Sequence, residues 1–167
     1  AAYKRLGLFP SFFAEHTFYW GDWHRDETLG ADRAAFISPT AAALKAGLHF
    51  SLHTDAPVVP PAPMHVLWSA VNRTTRSGQV LGADQRISPM DALRAVTIWP
   101  AWQHFDEASR GSITVGKKAD LVVLGANPLS IDPAKIKDIA VITTIKDGQA
   151  IYEAGKTVVA RTAFAQP

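Results

Sequence analysis

The 167-residue chain contains no cysteine, which excludes a disulfide framework, a thiolate nucleophile and any Cys-ligated zinc or iron–sulfur centre. That absence leaves cytoplasm and periplasm both open. No apolar run approaches the roughly 20 residues of a membrane span, and the opening "AAYKRLGLFPSFF" lacks an apolar stretch followed by a small-residue cleavage site. No membrane role is read, the chain is expected to be soluble, and cytoplasm is the expected compartment, with export open if the true N-terminus lies upstream. Charge is scarce too. Only 19% of residues are charged, the formal net charge is +2, and the basic residues are scattered, so there is no electrostatic footprint for nucleic acid.

What is present is apolar content, 47% of the chain, enough for one sizeable core or one and a half small ones. "LGLFPSFF" (6–13) predicts a buried strand, followed by a long polar and aromatic loop through "AEHTFYWGDWHRDETLGAD". A helix near 39–46 stops at Gly47 and the strand "LHFSLHTD" (48–55) follows. The connection length predicts that 6–13 and 48–54 are parallel neighbours. A second helix is expected over "MHVLWSAVNRTT" (64–75), and a third begins with Ser88 as N-cap, Pro89 in the first turn and Asp91 by the positive helix end. Beyond about residue 110, short β-branched runs separated by Gly116, Asp147-Gly148 and Gly155 predict antiparallel hairpins, with 112–124 and 141–152 in one β layer and "SIDPAKI" as a connecting turn. The split falls at 1–109 and 110–167.

The chemistry concentrates in "FSLHTDAPVVPPAP" (50–63), where an apolar strand ends in His53-Thr54-Asp55 and the chain enters a proline cluster. In an extended strand His53 and Asp55 project together, with His49 and Ser51 behind them. Such a carboxylate can contact a divalent metal or move a proton. It can equally cap the turn before Pro57 by accepting backbone N–H bonds, the commoner role for this pattern alone. His16, Tyr19 and Trp20 are either a substrate wall or rings packed on a rim. His65 and His104, on expected helices, suit surface or satisfied core positions.

"HTDAPV", the "AV" and "R" of "SAVNRTTRSG", "ISPMDALRAVTIWPA", "GSITVGKKADLVVL" and "VITTIKDGQAIYE" together resemble the C-terminal end of the amidohydrolase superfamily, in the branch called amidohydrolase family 3 (YtcJ-like and N-substituted formamide deformylase-like proteins). The resemblance covers nearly the whole chain. It implies an α/β fold: the last strands and helices of a TIM-like (β/α)8 metal-hydrolase barrel, and part of a small β-sandwich carrying Gly111-Ser112-Ile113 and Ala119-Asp120-Leu121. Asp120 is then a backbone hydrogen-bonding residue at a strand start. Asp55 corresponds to the aspartate after the eighth barrel strand, which contacts the metal and acts as general acid/base, and His16 faces the substrate.

The family's His-x-His, its mid-barrel lysine or acid, and its later histidines have no counterpart here. The resemblance therefore implies roughly the last third of a metal-dependent hydrolase of C–N bonds, acting on a small amide or N-acyl substrate. A divalent metal, zinc by expectation, has most of its ligands outside this chain, and the rest of the barrel comes from the same polypeptide or a partner. Self-association into a homo-oligomer stays open. The alternative is a non-catalytic remnant or assembly module that binds another protein.

Overall fold

Residues 2–156 are described by a computed structural model. Residues 157–167, including the β-branched "TVVA" run expected in the second domain, lie outside the described residues. After a short helix α1 (Ala2–Arg5), strand β1 (Ser11–Phe12) pairs in parallel with β2 (Ser51–Leu52), with Ser11 opposite Ser51 and Phe12 opposite Leu52. The expected parallel pairing is present, but both strands are shorter than the apolar patterns. Leu6 and Leu8 donate back to the carbonyls of Ala2 (3.0 Å) and Tyr3 (2.9 Å), so they finish α1 instead of opening β1. Leu48 likewise closes the helix before β2, its N–H on Ala43 at 3.0 Å.

The crossover between these strands departs from expectation. The aromatic stretch expected as a loop forms α2 (His16–Trp23), a π-helical turn His24–Thr28 and α3 (Ala31–Ala35), followed by α4 (Thr40–Lys45). Thr17 and Gly21, four residues apart on one face of α2, are its buried residues, while the Trp23 ring is exposed. α4 matches the expected helix and ends before Gly47, whose φ of +71° allows the chain to reverse.

α5 (Pro63–Asn72) is the centre of the core. Val66 through Val71 are all buried, and they meet Phe50 of the β2 approach with Ala92, Ala95 and Trp99 from α6 (Pro89–Val96) and α7 (Ile98–Gln103). Proline suits the first turn of α5, where its missing N–H has no helical partner to lose. The helix stops because Arg73 is left-handed (φ 52°). α6 begins as the sequence predicts: the Ser88 hydroxyl accepts the Asp91 N–H at 3.1 Å.

Beyond α7, β3 (Leu121–Leu124), β4 (Val141–Lys146) and β5 (Gln149–Glu153) form an antiparallel sheet in the order β3-β4-β5. Residues 112–120 precede the strand, so only the end of the expected 112–124 run is in the β layer. The Asp147-Gly148 turn has positive φ at both positions (48° and 79°), as a two-residue hairpin requires. Asp120 accepts the Asp147 N–H at 2.9 Å, the expected backbone contact. "SIDPAKI" is more than a connecting turn. Residues Pro133–Asp138 form a 3-10 helix docked on α5, where Ile136 is fully buried, Trp68 donates to the Ala134 carbonyl (3.0 Å) and Asn72 to that of Pro133 (2.9 Å). Among the described residues no helix is long and apolar enough to cross a membrane.

Candidate functional site

Parallel pairing puts the carboxyl ends of β1 and β2 side by side, where loops from both strands can meet. The last ladder bond, His53 N–H to the Phe12 carbonyl at 3.2 Å, fixes their separation. Just beyond it the Phe13 ring lies 4.4 Å from the His16 ring and 5.3 Å from that of His53, centroid to centroid. The buried Phe13 ring thus packs against both imidazoles.

α2 adds a stripe to this cluster. His16, Trp20 and His24 are spaced four residues apart, and His16 lies 5.4 Å from Trp20 and 5.6 Å from His24. The π-helical turn begins at His24, whose carbonyl accepts the Leu29 N–H at 2.8 Å. Burial, followed by the nearby His24, holds the His16 imidazole below its ordinary pKa; Asp55 opposes this and His53 adds to it. His16 is therefore a neutral imidazole near pH 7, able both to donate and to accept a hydrogen bond. Tyr19 turns elsewhere: its ring neighbours are Phe18, Trp20 and His65, with the Arg76 guanidinium 5.1 Å above it.

Asp55 is exposed, and its backbone is left-handed at φ 55°. Aspartate tolerates this conformation better than most residues, and such positions concentrate at functional sites. The twist ends strand alternation before Asp55, so His53 and Asp55 do not project as successive members of one strand face. Among the described residues the Asp55 carboxylate has no hydrogen bond or ion pair. The turn is closed instead by its main-chain carbonyl, which accepts the Val58 N–H at 2.9 Å, and buried Val59 anchors it. Beside it opens a cleft of about 940 Å³ whose walls include Asp55, Met64, Leu67, Leu93, Val122 and Val141.

The remaining histidines do other work. His49 stacks on Trp99 (4.8 Å, 10° between planes), and Ser51 donates to the Ser11 hydroxyl at 2.8 Å, so neither joins Asp55. His65 is a satisfied core residue: its Nδ1 lies 2.5 Å from Oε1 of the fully buried Glu15. The sequence places Glu15 and His24 in the same aromatic stretch as His16, as part of its possible substrate wall, but singles out neither as a site residue. His24 had a signal in the four-residue spacing from His16 and Trp20; Glu15 had none, because its partner lies fifty residues away.

The donor set limits what metal chemistry these residues can support. Among the described residues no group of three or more His, Asp or Glu side chains could hold a metal ion.

The model of the "Amidohydrolase family" matches residues 1–152. N-substituted formamide deformylase from Arthrobacter pascens is 35% identical over 117 residues, covering 70% of this chain and 22% of the relative. The amidohydrolase-named protein YtcJ of Bacillus subtilis is 29% identical over 130 residues, 76% of this chain and 25% of its own length. The crystal structure of a metal-dependent hydrolase from Pyrococcus horikoshii superposes with a TM-score of 0.65 at 26% identity, over 78% of this chain and 26% of that one. The chain thus spans about a quarter of the length of the proteins it matches.

Proposed function

Because the chain belongs to the amidohydrolase family, we propose that it forms the carboxyl-terminal portion of a metal-dependent hydrolase of amide or N-acyl C–N bonds, with Asp55 as its general acid/base. The observation that carries this reading is the unengaged carboxylate on a left-handed backbone at the end of β2, with a neutral imidazole nearby. The capping alternative requires the carboxylate to hold the turn, and a main-chain carbonyl does that instead.

Two strands cannot close a barrel. The remaining strands and most metal ligands come, on this reading, from further polypeptide in the same chain or a partner. A divalent metal, zinc in this proposal, would supply Lewis-acid activation of water when bound, with Asp55 as one contact. Asp55 takes the proton from the attacking water and returns it to the leaving nitrogen, so the departing group leaves as a neutral amine. His16 and Trp20 form the substrate wall, and Tyr19, turned away from it, packs on Trp20. Neutral His16 can hydrogen-bond the substrate amide without adding a charge that would compete with Asp55.

Asp55→Asn in the assembled enzyme tests the assignment. Asparagine keeps the size and tolerates φ 55°, but cannot take a proton. A fall in kcat of roughly 10²–10⁴-fold on a panel of formamides and N-acyl amides is expected, with stability changed by less than about 1 kcal/mol. Near-normal turnover by a folded variant with unchanged metal content refutes the role.

A further inference from the structure

The strand ends that build the candidate site are joined a second time, through the interior. β2 leads by way of the proline loop into α5, and α5 ends at Arg73. Arg73 is fully buried, and among the described residues it forms no ion pair; its guanidinium donates to four main-chain carbonyls. These are Leu81 at 2.8 Å, Ile37 at 2.8 Å, Ser38 at 3.1 Å and Ala35 at 3.3 Å. Ile37 and Ser38 belong to the turn between α3 and α4, and Ala35 is the last residue of α3. Ser38 in that turn is itself left-handed, at φ 44°, and its hydroxyl donates to the Phe13 carbonyl at 3.0 Å. Phe13 is the residue whose ring lies against both His16 and His53.

Desolvating a guanidinium is costly, and a helix end needs no buried charge to terminate. What Arg73 provides is a rigid fork with five N–H donors, which holds the 35–38 turn at fixed distance from the end of α5. The space around it is fully used: a Cβ on Gly82 would fall 2.0 Å from the Ala35 carbonyl oxygen and 3.1 Å from Arg73 Nη2. The turn cannot shift independently of the arginine. Its one side-chain link toward the site is the Ser38 hydroxyl.

We infer that Arg73 and Ser38 are positioning residues for the candidate site, acting as a relay that fixes the Phe13 backbone and thereby the placement of its ring against His16 and His53. Neither residue touches the site. The relay couples the end of α5 to the end of β1, so the loops after both strands keep one relative geometry. The kinetic part of its test rests on the hydrolase reading above; the spectroscopic part does not.

Two substitutions in the assembled enzyme test the relay, Ser38→Ala at the lower link and Arg73→Lys at the upper. Ser38→Ala deletes one hydroxyl and retains a side chain of similar backbone preference, so it is expected to fold with Tm lowered by a few degrees. With the Phe13 carbonyl left to the His16 N–H alone (3.2 Å), the ring moves and the NMR resonances of the His16 ring protons shift with it. Turnover follows: kcat falls by about tenfold to a hundredfold with KM changed less than about threefold, since a misplacement near 1 Å can have that effect. Arg73→Lys, which cannot span the same carbonyls, shifts the same resonances further; if it fails to fold, Ser38→Ala decides alone. A lowered Tm with unmoved His16 resonances and unchanged kcat assigns a merely structural role and overturns the inference. If the wild-type enzyme hydrolyses no amide, the functional reading fails, while the His16 resonances still decide the relay.

Discussion

His16 sits where burial, His24 and His53 all disfavour its charged form and only Asp55 favours it. An imidazole with a lowered folded pKa holds fewer protons folded than unfolded at pH values between the two. Stability therefore rises with pH through that window and is fully present above about 6.5, the ordinary value. As pH falls below 6.5 the unfolded chain takes up the proton first and the folded form loses ground. His16→Gln is expected to flatten this slope in urea melts at pH 5 to 7.5; an unchanged slope would assign it to other groups. At this scale Asp55 was legible, because an aspartate followed by Pro57 and a run of further prolines is readable in one dimension. Its unengaged carboxylate was not, since capping depends on a backbone conformation that the pattern leaves open. The role of Glu15 was illegible for a different reason: a hydrogen-bonding partner contributed by α5 leaves no local trace.

Helix α6 was the most legible element, and its start makes a quantitative test. Ser88 accepts from the Asp91 N–H, while its hydroxyl donates to the Asp91 carboxylate at 2.6 Å, which also holds Arg94 at 3.1 Å. Ser88→Ala should lower stability by about 1 kcal/mol without changing the denaturant m-value. A loss below about 0.3 kcal/mol would mean that the Asp91–Arg94 pair secures the helix end by itself. α2 was less legible. Its polar and aromatic composition suggested a loop, because the face that packs on Phe13 and His65 is made of rings and imidazoles where an aliphatic stripe was sought. The strands were overextended for the opposite reason. Apolar residues at 6–8 and at 48 satisfy their backbone in helix termini, and apolar content does not distinguish that from a ladder.

For the whole molecule, the lowest-order statement is that a metal centre cannot be assembled from the described residues. The 167-residue chain alone should bind zinc only weakly, well below one equivalent after dialysis, as checked by calorimetry with elemental analysis. One tightly held equivalent would show that His16, His24, His53 and Asp55 rearrange into a site by themselves. The parallel arrangement of β1 and β2 was legible from connection length, whereas the docking of residues 133–138 onto α5 was not, because it depends on Ile136 entering a core formed more than sixty residues earlier. The order β3-β4-β5 carries a consequence in time as well as in space. Among the described residues β4 has a hydrogen-bonded neighbour on both sides, whereas β3 and β5 have one each. Amide protons of β4 can escape to solvent only when a flanking strand detaches, while the outward-facing amides of β3 and β5 need no such event. In deuterated water Thr143 to Ile145 should retain their protons longest in this sheet, and uniform exchange across its strands would mean that the sheet opens as one unit.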